Sequence, residues 1–297
     1  MVMLSSSLDH NPPNADRHIT PRGSDWLWAV MAIMGLSTLG MVFWQFTRPR
    51  GTRFFHNIAL IILTTSTICY FVMASDLGAT PTRAQFSRGT TGTRQIFFVR
   101  YIQWFINFPL ILLLLLFATG LSLSDILTTA FFAWVVVVCG LAGALTASSY
   151  KWGFFAFGLL ALFYIWSTLL GHGPRTTFNA GQGVRSGYVR GSILVALVTA
   201  LYPIAWGCSE GGNVISPTAE AIWYGILDLI LGPIFLYYFL FGLRKVDHSA
   251  FGINSGKWSD GAHGGSGSTH GHHNHTGTNM AGTGTTTGTA APVGARV

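Results

Sequence analysis

Apolar residues along this chain come in long, nearly unbroken runs, without the short periodic patterns of half-buried elements. Seven runs approach the roughly 20 residues that a helix needs to cross about 30 Å of hydrocarbon. They are, roughly, Trp26–Phe46, Asn57–Ala74, Ile96–Leu116, Ile126–Leu145, Trp152–Leu170, Gly187–Trp206 and Ala219–Leu243. Inside a bilayer every backbone N–H must find a partner without water, and runs of this length satisfy that need as helices. The pattern predicts an all-α membrane protein, a seven-transmembrane-helix bundle spanning 26–245 with its two ends on opposite sides. Three stretches fall outside it. Residues 1–25 are polar, with Pro12, Pro13 and Pro21, and no cleavage pattern follows the first run, which reads as a retained signal anchor. Gly78–Thr93 is rich in Gly and Thr and predicts a hairpin or extended loop. Residues 246–297 are dominated by Gly, Ser, Thr and His and predict a disordered tail, because they offer too little apolar surface to offset chain entropy.

Composition sharpens this picture. Half of the 297 residues are hydrophobic and only 9% are charged, against about a quarter in soluble domains. The formal charge of +7 points to membrane lipids, not nucleic acid, because its Arg and Lys cluster between the apolar runs. Arg48, Arg50, Arg53, Arg175, Arg185, Arg190, Arg244 and Lys245 lie on one side, and Arg17, Arg22, Arg83, Arg88, Arg94 and Lys151 on the other. The richer side is expected in the cytoplasm, which places the N-terminus outside and the tail inside. Cys69, Cys139 and Cys208 lie in or at the end of apolar runs and suggest no disulfide framework.

Charge inside a span is expensive and marks a candidate site. Arg100 in the third run and Asp228 in the seventh are expected to form a buried pair, serving either helix packing or a proton or ligand site. Asp76 lies near the end of the second run. Glu210 and Glu220 flank the connection between runs six and seven and are expected as outer carboxylates.

The third run reads Arg100-Tyr101-Ile102-Gln103-Trp104, then Pro109 and a leucine run. The sixth reads Leu201-Tyr202-Pro203-Ile204-Ala205-Trp206, followed by Ser209-Glu210-Gly211. The seventh carries Glu220 and then Leu227-Asp228. In order, spacing and depth these resemble helices C, F and G of the microbial rhodopsins, and Gly140-Leu141-Ala142-Gly143-Ala144-Leu145 resembles their helix D. The resemblance covers about residues 26–245 and implies a bacteriorhodopsin-like fold. It also implies a pocket lined by Gln103, Trp104, Asn107, Phe155, Thr199, Tyr202, Trp206 and Gly232.

The departures from that pattern bear on function. The resemblance places the pump carboxylates at Gln103 and Leu114, the retinal lysine at Gly232 and a ring-side tryptophan at Thr199. Independently of it, the chain's lysines are Lys151, Lys245 and Lys257, at or beyond span ends. No mid-membrane amine is available to form an imine, so no covalent retinal or other cofactor is expected. Loss of the imine and of the carboxylate at 103 together leaves one buried charge of each sign, avoiding a stranded ion.

Rhodopsin-like chains without this lysine are similar to the fungal opsin-related proteins, including the thirty-kilodalton membrane heat-shock proteins of yeasts. That similarity implies a non-enzymatic, stress-responsive plasma-membrane protein, acting in a chaperone-like way or through contacts with the proton-pumping ATPase or other membrane proteins, with oligomers allowed. Other readings stay open. A transporter or proton channel would use Arg100, Asp228, Glu210 and Glu220, although the third run ends in leucines with no relay carboxylate. A G-protein-coupled receptor would need motifs that the third and seventh runs lack. Retinal or another polyene would bind noncovalently in the leftover pocket. His270, His272, His273 and His275 in the tail offer weak binding of Zn, Ni or Cu.

Overall fold

The computed structural model describes residues 6–49, 52–86, 92–177 and 182–244, without the side chains of 182 and 183. Among them, seven helices are long and apolar enough to cross a membrane. They are Pro21–Phe46, Phe54–Ala74, Phe98–Leu116, Leu123–Leu145, Lys151–Thr176, Val184–Gly211 and Pro217–Leu243, referred to below as spans one to seven. The tail, with His270, His272, His273 and His275, lies outside the described residues.

Local chemistry explains where the helices begin. Span one starts at Pro21, earlier than the apolar run, because Thr20 is extended and Pro21 occupies the first helical turn, where its missing N–H costs nothing. Ser122 caps span four by accepting from the Asp125 amide. Ser216 caps span seven by accepting from the Ala219 amide, again with proline behind it. Three spans are interrupted by π-helical turns, at Ser167–His172, Gly207–Gly211 and Ile230–Ile234. The last contains Pro233, whose ring cannot join the regular hydrogen-bond ladder.

The predicted hairpin is present. Strand β1 (Thr80–Arg83) pairs antiparallel with β2 (Thr93–Ile96) in the register Thr80↔Ile96. Gly78, at φ +69°, turns the chain out of span two with its ideal Cβ position only 2.8 Å from Val99, so only glycine fits. The N-terminal segment packs against the same end of the bundle. Arg17 exchanges backbone hydrogen bonds with Thr93 and Gln95, running parallel to β2. Asp16 accepts from the Gly92 and Thr93 amides and the Thr93 hydroxyl, and the hydroxyl contact above all holds its carboxyl below the usual range. Ile19 is fully buried beneath this cover.

Candidate functional site

Among the described residues, two polar clusters and a cavity lie in the interior of the bundle. The first cluster lies near the hairpin end. Arg94 of β2 and Arg100 in the first turn of span three both reach Glu220 in the first turn of span seven. Arg94 Nη2 lies 2.6 Å from Glu220 Oε2, and Arg100 Nη1 bonds Oε1. All three side chains are at most 2% exposed. Asn213, held at φ +51°, accepts from Arg94 and Arg17 through its side-chain oxygen. Arg100 also stacks over the Tyr224 ring at 4.5 Å. Beside this triad, the Glu210 carboxylate accepts from Tyr101, Tyr224 and Ser209. Lys151 Nζ donates to the Glu210 backbone carbonyl at 3.0 Å.

The second cluster centres on Asp228. Tyr70 (2.6 Å) and Gln103 (3.0 Å) donate to its Oδ2, while Trp104 (3.1 Å) and Tyr202 (2.5 Å) donate to Oδ1. Four donors fill both carboxylate oxygens, and among the described residues no cation bonds either one. The expected Arg100–Asp228 pair is therefore corrected to Arg100–Glu220. The reason is depth. Arg100 and Glu220 both sit in first turns, whereas Asp228 lies eight residues further along its helix, about 12 Å at 1.5 Å per residue. Glu210 and Glu220, expected as outer carboxylates, lie towards the hairpin end of the bundle and are buried there, at 4% and 1% exposure.

Beyond Asp228 lies a cavity of about 120 Å³, almost wholly apolar in its lining. Spans three, five, six and seven supply the eight pocket residues expected from the sequence, and the structure places all of them on its wall: Gln103, Trp104 and Asn107; Phe155; Thr199, Tyr202 and Trp206; and Gly232. Phe155 stacks on Trp206 at 5.1 Å, and Trp104 meets Tyr202 edge-on at 4.9 Å. Thr199 accepts from Trp166 Nε1. An ideal Cβ at Gly232 would sit 3.3–3.4 Å from the end of Met34, against the first span. Lys151, the one lysine among the described residues, is not on the cavity wall.

Sequence reasoning missed Arg94, Tyr70, Tyr101, Tyr224 and Ser66. Arg94 was counted with the loop cations, although it stands six residues before Arg100, across the strand-to-helix junction. Tyr70 and Ser66 share one face of span two, at i and i+4, and Ser66 accepts from Asn107 at 2.8 Å.

A family model described as bacteriorhodopsin-like protein matches residues 23–238. Protein FDD123 of Trametes versicolor is 60% identical over 87% of this chain and 90% of its own length. The opsin-like protein carO of Fusarium fujikuroi is 44% identical over 82% and 80%, and the 30 kDa heat shock protein of Saccharomyces cerevisiae 35% identical over 81% and 79%. Among solved structures, the light-driven proton pump rhodopsin of Coccomyxa subellipsoidea superposes with a TM-score of 0.73 at 30% identity, over 76% of this chain and 98% of that one. The seven spans, the extent of the family match and these relatives agree: the chain belongs to the bacteriorhodopsin-like family, among its fungal opsin-related members.

Proposed function

We propose that this chain is a retinal-free opsin-related protein of the plasma membrane that acts in a stress response through protein contacts, and that it is neither a light-driven pump nor an enzyme. The observation that carries this reading is Gly232. The resemblance to the rhodopsins puts the imine-forming lysine at this position, and Gly232 offers no amine to the cavity it lines. Lys151 is engaged elsewhere, on the Glu210 carbonyl. The residues present do not fit a covalently held retinal. Gln103 and Leu114 stand where the resemblance puts pump carboxylates, and buried Leu112, Leu114, Leu115 and Leu116 carry no proton-relay group. The relative named as a 30 kDa heat shock protein supports the stress role. Chaperone-like action or restraint of the proton-pumping ATPase would then be its mode of contact. The N-terminus lies outside and the C-terminus in the cytoplasm on the charge bias of the span ends.

The test is deletion of the gene in its host, with survival after heat and weak-acid shock and proton-ATPase activity of isolated membranes as readouts. Lower survival with altered ATPase activity is expected, and light should move no protons in membranes carrying the chain. Unchanged survival and ATPase activity, or light-driven acidification, would overturn the reading.

A further inference from the structure

We propose that the cavity excludes water and binds, without a covalent bond, a single-ring hydrocarbon: a guest about the size of toluene that carries no hydrogen-bonding group. Size sets the first limit. A cavity of about 120 Å³ is comparable to the roughly 150 Å³ apolar cavity that accepts a benzene ring. Retinal or another long polyene exceeds it.

Polarity sets the second limit. The indole and phenol donors on the wall are already spent inside the protein. Trp104 and Tyr202 donate to Asp228, Tyr101 and Tyr224 to the Glu210 carboxylate, and Trp206 to the Gly140 carbonyl. The Thr199 hydroxyl donates to the Val195 carbonyl and accepts from Trp166. Asp228 brings a carboxylate to the wall, but four donors already fill its two oxygens. The amide oxygens of Gln103 and Asn107 lack partners, yet both atoms are themselves buried, with almost no accessible surface, and are closed to a guest. What remains open to the cavity is therefore almost wholly carbon, from side chains such as Ile111, Val137, Phe155, Leu162 and Leu231. A buried water needs about two to four polar partners, and a hydroxyl on a guest needs at least one. A wall whose polar groups are paired or closed off supplies neither. A hydrocarbon ring asks for none, and it gains from leaving water and from close contact with the lining. This inference is independent of the stress role, since binding is measured on the isolated protein.

The experiment uses the full chain in lipid nanodiscs and fluorine NMR with para-fluorotoluene and para-fluorophenol, which match in size and differ by a methyl against a hydroxyl. Affinities are referred to free aqueous concentration, with protein-free nanodiscs as the lipid background. A saturable bound resonance is expected for para-fluorotoluene, at a concentration at least about thirtyfold below any that binds para-fluorophenol, the least cost of burying a hydroxyl without a partner. Equimolar all-trans retinal should not displace the probe. The Thr199→Trp variant is the blocked reference. Thr199 lines the cavity, and the resemblance to the rhodopsins puts a tryptophan at this position, so an indole suits the helix and takes up the space. The bound resonance should vanish there. The proposal fails if para-fluorotoluene gives no saturable resonance, as when ordered water fills the cavity, or if the phenol binds within about thirtyfold of it. It fails equally if retinal displaces the probe or if the resonance survives in Thr199→Trp. A melting curve of Thr199→Trp close to that of the parent confirms that the reference is folded, and the ranking of the two probes on the parent stands without it.

Discussion

Glu220 is the residue on which two buried guanidinium groups depend, and its neutralisation is the most informative single change. In Glu220→Gln the shape is kept, but Arg94 and Arg100, each at most 2% exposed, lose their counter-charge. Breaking a buried ion pair costs roughly 3–5 kcal/mol, most of it the penalty of the stranded charge. The remaining amide oxygen still accepts from one arginine, and Tyr224 still lies under Arg100, so the lower end, about 3 kcal/mol, applies. In a bundle of this size that is a fall in melting temperature of about 6–12 °C, at roughly 2–4 °C per kcal/mol. Asp228→Asn is the contrast. It strands no cation, and Gln103 is able to turn its unpartnered oxygen toward the new amide. The cost is that of rearranged hydrogen bonds, about 1–2 kcal/mol, or roughly 2–8 °C. The assay is thermal unfolding in detergent at one fixed scan rate, because such melts are operational quantities. Pairing is then isolated by two double-mutant cycles. Arg100→Gln with Glu220→Gln should cost clearly less than the sum of the single changes, whereas Arg100→Gln with Asp228→Asn should come close to additive. A larger fall for Asp228→Asn than for Glu220→Gln, or stronger coupling of Arg100 to Asp228 than to Glu220, would refute the assignment.

Incubation with all-trans retinal followed by borohydride should leave no retinyl adduct on the bundle by mass spectrometry, and an adduct on any lysine of spans one to seven would contradict the engagement of Lys151. Asp76 lies outside the spans, at φ +57°, and burial raises its carboxyl above the usual value of 3.8 despite the hydrogen bond from Gln95. A folded-state value raised in this way contributes stability below pH 3.8 that is lost as pH rises through the folded value. Asp76→Asn, which suits the left-handed backbone, should therefore match the parent in acid and melt higher at neutral pH. Equal melting temperatures at neutral pH would count against the raised value. An epitope tag at the C-terminus should resist protease in sealed cells and be cleaved after permeabilisation, and cleavage in sealed cells would reverse the proposed orientation.

The span count was legible because hydrocarbon imposes one length and one composition on any helix that crosses it. The cavity wall was legible through the resemblance to the microbial rhodopsins, because the motifs around Arg100, Tyr202 and Asp228 align three helices with that family and the resemblance then implies Thr199 and Gly232 on the wall. Ion pairing was harder to read. Which carboxylate meets Arg100 depends on the relative depth of two helices whose starts are set by Phe97 and Ser216, and a shift of one or two turns changes the partner. Glu210 and Glu220 read as flanking the connection between runs six and seven because they stand beside Gly211, Gly212 and Pro217. The π-helical turn at Gly207–Gly211 draws Glu210 inside, and the hairpin roofs over Glu220 through Arg94. Neither effect has a local sequence signature. Tyr70 on Asp228 is a contact between residues 158 positions apart, and nothing in the local pattern of span two announces it.

The seam between the first and last spans has a consequence in time. Arg17 Nη1 donates to the Asn213 backbone carbonyl at 2.7 Å, the Thr20 amide to the Thr218 hydroxyl at 3.0 Å, and Trp26 Nε1 to the Ala221 carbonyl at 3.2 Å. Each joins residues nearly 200 positions apart. At synthesis speeds of about 5–20 residues per second, the first span waits roughly 10–40 seconds in the membrane before these partners exist. The ring of helices closes last, at the junction of the first and last spans. A ribosome that stalls between the sixth and seventh spans would leave behind an open bundle in which Arg94 and Arg100 lack the Glu220 counter-charge.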